Sequence, residues 1–252
     1  ELTFDWSSND KMATVGIKQT QKSDKKNEEL LFKIPFFLEF YYKNSKEKFS
    51  IEIKSDKEKF CFHLKNKPLF FRIDPDYECP CKVVVSDVPR HMFYEQLKRD
   101  LDPIGRIEAA LALTKNSSTE DVNILGERLK KEKEWGVAVR IAKALGKIGG
   151  NDARDYLIKG LKNSDHKIRK GIISALGNFC HDEKAILSIR QCAKNDPSYR
   201  VEAIALQMLG KIKDKDSFVF LESSISRKSH NSIAQTAIYN ALAELEGEAS
   251  WD

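Results

Sequence analysis

The chain has 252 residues, 41% of them hydrophobic and 32% charged, and 43 Lys and Arg against 38 Asp and Glu give a formal net charge of +5. That length admits one large domain or two ordinary ones, and no apolar run approaches the roughly 20 residues of a membrane span. The basic excess is spread thinly, with 17 basic and 15 acidic residues up to position 90 and 26 and 23 beyond it, so no basic tail or stripe along the sequence marks a nucleic-acid binder. The five cysteines, an odd number, fit a reducing compartment, most simply the cytoplasm. The chain opens on Glu1-Leu2-Thr3-Phe4 without a signal-peptide pattern and reads as an excised part of something longer.

Up to about residue 88 the apolar pattern has period two. Leu2, Phe4 and Trp6 alternate with polar residues, as do Ala13, Val15 and Ile17, then Phe49, Ile51 and Ile53, then Phe60, Phe62 and Leu64. Such alternation turns one side of each strand to a core and the other to solvent. Turn chemistry separates the runs at Ser7-Ser8-Asn9-Asp10, 23–27, Lys43-Asn44-Ser45, Asn66-Lys67-Pro68 and Asp74-Pro75-Asp76. About seven short strands predict an antiparallel β-sandwich over residues 1–88. Pro35 lies inside the strongest apolar segment, and because proline donates nothing to a ladder, that strand must be an edge or bulge there.

From Pro89 the period becomes helical, and one phrase recurs. Ala109-Ala110-x-Ala112-Leu113 returns as Ile141-Ala142-x-Ala144-Leu145, Ile172-Ile173-x-Ala175-Leu176, Ala205-Leu206-x-Met208-Leu209 and Ile238-Tyr239-x-Ala241-Leu242. The leucines are 32, 31, 33 and 33 residues apart, and Gly146, Gly177 and Gly210 follow three of them. Between the phrases lie second helices near Thr119–Lys131, Asp152–Lys162, Glu183–Lys194 and 216–227, with caps at Ser118, Asn151, Asp182 and Asp214 or Asp216. A single pair cannot bury its own apolar stripe, so the stacked copies share a core. Residues 89–252 are thus predicted to form a HEAT-type α-α superhelix, an α-solenoid.

Chemistry-bearing motifs are sparse. None of the histidines is followed by glutamate, which excludes His-Glu-x-x-His and weighs against the di-iron hydroxylases built on HEAT repeats. No Gly-rich phosphate loop, Gly-x-Ser-x-Gly elbow or Cys-x-x-Cys is present. One constellation remains: Cys61 and His63 share a strand face, Cys79 and Cys81 follow shortly, and four such ligands could meet around zinc if the segments were adjacent. Against it, Cys79-Pro80-Cys81 is tight for one metal, and semi-buried cysteines with a surface histidine explain the same residues. The second helices of HEAT pairs, read as the concave side, carry Arg154, Lys162, Arg190 and Arg227, a groove suited to a peptide or protein segment of acidic character. A solvated face of a Lys-rich protein would carry the same residues. Trp135 and Trp251 read as packing residues.

The junction between the halves resembles a known family. Lys18-Gln19-Thr20-Gln21, then Pro68-Leu69-Phe70-Phe71-Arg72-Ile73-Asp74-Pro75-Asp76, then Gln96-Leu97-Lys98-Arg99-Asp100 leading to Gly105-Arg106-Ile107-Glu108, is similar in order to the post-catalytic region of aminopeptidase N-family zinc peptidases (gluzincins) and of the aminopeptidase-like subunit of TFIID. The resemblance implies a non-catalytic C-terminal region that covers the active-site cleft and controls peptide access. It also implies an upstream catalytic domain of the same protein as partner, with the zinc held there. No catalytic residue carries over, because neither the zinc helix nor the Gly-x-Met-x-Asn strand has a counterpart. The alternative is a protein-binding HEAT scaffold without a peptidase parent; neither reading involves nucleic acid or a membrane.

Overall fold

A computed structural model describes residues 1–21, 31–213, 215–226 and 232–246. The expected turn at 23–27, the alternative cap Asp214, Arg227 and Trp251 lie outside them. The chain forms two compact units, Glu1–Ala112 and Leu113–Asp252.

The first unit holds strands β1 (Leu2–Ser7), β2 (Met12–Lys18), β3 (Ile34–Tyr41), β4 (Lys46–Ile53), β5 (Lys57–His63), β6 (Phe70–Ile73) and β7 (Val85–Asp87), followed by helices α1 (Arg90–Arg99) and α2 (Pro103–Ala112). The strands make a four-stranded sheet in the order β5-β2-β1-β7 and a three-stranded sheet in the order β4-β3-β6. The alternating residues point as their period requires: Leu2, Phe4, Ala13, Val15 and Phe62 from one sheet join Leu38, Phe40, Ile51 and Ile53 from the other in one buried cluster. Rings cross between the sheets, Phe4 stacking on Phe71 at 4.9 Å and Phe40 meeting Phe62 edge-on at 5.2 Å.

The larger sheet is mixed. β7 pairs parallel to β1, with Leu2 opposite Val85, which corrects the purely antiparallel expectation. A parallel pair cannot be joined by a tight turn, and here the whole run from β2 to β6 separates β1 from β7. Pro35 also resolves. β3 is the central strand, but β6 pairs only with Leu38 to Tyr41, so Pro35 sits where β3 is locally an edge, and its register with β4 is unbroken. Helix α1 packs on β6 and buries Met92 in the strand core, so the compact unit extends past residue 88 to include α1 and α2.

The second unit is a ladder of α3 (Thr119–Lys131), α4 (Trp135–Ile148), α5 (Gly150–Gly160), α6 (His166–Leu176), α7 (Glu183–Asn195), α8 (Tyr199–Ile212), α9 (Lys215–Ser223) and α10 (Ile233–Glu246). Two expected caps hold. Ser118 forms a capping box with Asp121, and the Asp182 carboxylate accepts from Ala185 N–H at 2.9 Å. Asn151 does not cap, because α5 begins earlier, at Gly150, after two glycines with positive φ.

The recurring phrase forms the joints. Leu145, Leu176 and Leu209 are wholly buried; of the glycines that follow them, Gly146 and Gly210 face the alanine of the next copy and Gly177 faces Met208. A Cβ on Gly146 would stand 2.8 Å from Ala175 O, and one on Gly210 would stand 2.7 Å from Ala241 Cα. Both contacts are with backbone, which cannot step aside, so only glycine lets these helices approach so closely. As a result α4, α6, α8 and α10 lie side by side in one layer. In the other layer α5 and α7 barely touch.

Candidate functional site

The zinc constellation does not assemble. Cys61 and His63 lie on β5 at one edge of the four-stranded sheet, while Cys79 and Cys81 lie in the segment leading to β7 at the opposite edge. Burial and a hydrogen bond with Cys79 push the Cys81 thiol up to about 11, so it is neutral where a metal or an electrophile needs thiolate. Among the described residues no group of three or more His, Cys, Asp and Glu is placed to hold a metal ion. Beside Cys79 an open cavity of about 650 Å³ is lined by Leu2, Ile17, Phe36, Ile53 and Ile73. Glu1, Lys18, Gln19, Lys33 and Lys82 also line it, and the Gln19 amide donates to the carbonyls of Phe32 and Ser55 at 2.8 and 3.1 Å.

Three of the residues quoted for the family resemblance, Arg72, Asp100 and Gly105, meet in one cluster of the first unit, whereas Gln19 lies apart from it, bonded to Phe32 and Ser55. Arg72 on β6 donates to Asp102 at 2.7 Å, lies 3.6 Å from Asp100 and sits over the Tyr77 ring at 5.4 Å. Burial pushes the Asp100 carboxyl above its ordinary range in spite of the Arg72 charge. Burial acts on Asp102 in the same direction, but hydrogen bonds from Ile104 N–H and Arg72 outweigh it and hold that carboxyl low. Gly105 completes the cluster, since a Cβ there would fall 1.9 Å from an Asp100 oxygen. The cluster is enclosed and structural.

Sequence reading missed a second recurrence. Asp100, Glu132, Asn163 and Asp196 are spaced 32, 31 and 33 apart, as the leucines are, and each side chain accepts from the backbone N–H two residues on, at 2.8 to 3.0 Å. Arg169 completes this joint. It forks onto both Asp196 oxygens at 2.8 and 2.9 Å and donates to the carbonyls of Asn163 and Ser164. The shared period was the available signal; the mixture of Asp, Glu and Asn hid it.

The groove residues fall differently from expectation. Arg154 is buried, with its guanidinium bonded to Asn151, Asp155 and Asp182, so it is a joint between α5 and α7 and presents nothing to a ligand. Arg190 lies 3.8 Å from Asp216. Lys162 is exposed, just past the end of α5. Arg227 lies outside the described residues. The second helices α3, α5 and α7 form one layer, labelled outer, and α4, α6, α8 and α10 form the other, labelled inner.

The inner layer shows what charge totals concealed. Helix α4 exposes Arg140, Lys143 and Lys147; α6 exposes Lys167 and Lys170; α8 exposes Arg200 and Lys211. Spacings of three and four residues on α4 and α6, and of eleven, about three turns, on α8, put each set on one helix face. The acid among these helices, Glu202, is buried. None of the exposed cations forms an ion pair among the described residues. The outer layer carries both signs, Glu127 with Lys130 on α3, Asp152 and Lys159 on α5, Glu183 and Lys184 on α7, and Glu127 pairs with Lys130. Trp135, expected to pack, is 48% exposed at the start of α4 with Lys167 Nζ 4.8 Å from its ring centroid.

A two-layered ladder with a 31–33-residue period and small residues at its joints defines a helical-repeat scaffold. The family model for HEAT repeats matches residues 92–177 and 155–243, more than half of the chain. The chain belongs to the HEAT-repeat family. Among solved structures it is similar to the complex of CpcE and CpcF of phycocyanin lyase from Nostoc sp. PCC7120, with 21% identity, a TM-score of 0.50, and 68% of this chain and 70% of that one covered. Human deoxyhypusine hydroxylase is more distant, at 18% identity and a TM-score of 0.40 over 63% of this chain and 74% of that one. An engineered protein follows at 20% identity and 0.38, covering 62% and 80%. No curated protein sequence matches the chain. Among the described residues no helix is long and apolar enough to cross a membrane.

Proposed function

We propose that the chain works as a non-catalytic scaffold that binds a protein partner. The observation carrying this reading is the inner layer itself: α4, α6 and α8 hold a row of exposed side chains on a rigid, closely packed frame, while the described residues bring no nucleophile, base or metal donors together. Binding sites on rigid elements keep their geometry without an ordering cost. The nearest fold likeness described above is itself a complex of two proteins, which accords with a protein partner. A reducing, cytoplasmic setting suits the five unpaired thiols.

A finer reading is supported by the Arg72, Asp100, Asp102 and Gly105 cluster. Three of the residues quoted for the likeness to aminopeptidase N-family proteins, Arg72, Asp100 and Gly105, lie together. In that reading the chain is the post-catalytic region of such a protein, its first unit a β-sandwich. It would cover the active-site cleft of an upstream domain, which holds the zinc.

The coding sequence upstream of Glu1 tests the finer reading: a His-Glu-x-x-His helix there supports it, and an unrelated domain removes it. The scaffold reading is tested by incubating the purified chain with zinc and aminoacyl chromogenic substrates. No turnover is expected, and turnover abolished by a chelator would overturn it.

A further inference from the structure

We propose that the exposed face of α4, α6 and α8 is a docking site for an acidic segment of a protein partner, a proposal that rests on the scaffold reading and adds the chemistry of the partner. Like charges one turn apart destabilise a helix, yet α4 repeats them at Arg140, Lys143 and Lys147 with no exposed acid to relieve them. On α6 Lys167 and Lys170 repeat the arrangement, and the exposed charges of α8, Arg200 and Lys211, are both cations, so a single sign persists across neighbouring helices while the outer layer carries both signs. A face of one sign gains most from a partner of the other, in encounter rate and in register.

The extent of the face sets the size and kind of occupant. Packed helices stand about 8–10 Å apart, so α4 to α8 spans roughly 20 Å, the reach of about six residues of extended chain at ~3.3 Å each. The run then ends: α10 presents Asn240 and Glu244 where α4 presents Lys143 and Lys147. A phosphate backbone rewards a long continuous track of cations, and so short a face with a net charge of only +5 over the chain favours a brief acidic peptide over nucleic acid. Trp135 and Tyr199, each 48% exposed at the start of α4 and α8, flank the cations and give an apolar residue beside the acidic run a surface to cover.

The probe is a fluorescein-labelled peptide of six consecutive glutamates followed by a leucine, titrated with the full chain at low ionic strength and read by anisotropy. The triple variant Lys143→Glu, Lys170→Glu, Lys211→Glu should weaken binding by about tenfold or more, with the loss shrinking as salt screens the charges. The triple variant Lys131→Glu, Lys159→Glu, Lys184→Glu makes the same change in net charge on the outer layer and should stay within about twofold. Equal losses in the two variants would overturn the proposal, as would failure of the unaltered chain to bind. Tighter binding of a single-stranded or duplex oligonucleotide, lost in the first variant only, would overturn it in favour of nucleic acid. A chain that ignores the peptide yet binds the purified upstream segment of its own protein retains the scaffold reading and loses this one.

Discussion

The two layers of the helical ladder share one period and one core, yet they handle charge in opposite ways. The outer helices interleave acids with bases, and its buried arginine, Arg154, joins α5 to α7 through Asp182. The inner helices bury their acid and, apart from Arg169, leave their cations open. Stability and recognition are thus carried by different residues a few ångströms apart: joints by buried glycine and Arg–Asp pairs, and the candidate docking face by side chains that the fold does not need.

The comparison breaks most visibly at a joint. Asp196→Ala removes the partner of Arg169, leaves a buried guanidinium uncompensated and takes away the acceptor for Ser198 N–H. A loss of about 3–5 kcal/mol is expected, measured by urea unfolding of the full chain through its helical circular dichroism. Gly210→Ala drives a methyl into the backbone at Ala241 and should cost about 1–3 kcal/mol by the same measurement. Ser118→Ala opens the capping box of α3 and should cost about 1 kcal/mol. The inner-face changes Lys143→Glu and Lys170→Glu should move stability by less than about 0.5 kcal/mol while altering binding.

Acid sharpens the contrast further. Burial raises the Asp182 carboxyl, but hydrogen bonds from Arg154 and Ala185 N–H outweigh it, and the group is held below the ordinary carboxylate range. Its folded value is therefore below its unfolded one. The stabilisation is complete above the unfolded value and is lost as pH falls through the folded one. Asp182→Asn should flatten the acid limb of the stability profile, whereas Lys143→Glu, on the other layer, should not remove it.

Much of this was legible in the sequence. The leucine spacing located the first helices, the period-two runs located the strand core, and Ser118 and Asp182 marked helix starts because capping is local chemistry. What stayed hidden was non-local. Cys61 and Cys79 are near in sequence but sit at opposite sheet edges, which only strand order decides. Parallel pairing of β7 depends on where a long connection returns. The cations on α4, α6 and α8 disappear in a charge count because the chain's acids lie mostly on other elements, and only the fold separates the two. Arg154 looked like a groove residue because sequence shows a cation but not its three partners.

Lysine acetylation read by mass spectrometry, with and without the acidic peptide bound, tests the division between the layers most directly. Protection should be confined to Lys143, Lys147, Lys167, Lys170 and Lys211, with Lys131, Lys159 and Lys184 labelled at unchanged rates. Equal protection on both layers, or protection of the outer lysines alone, would contradict it.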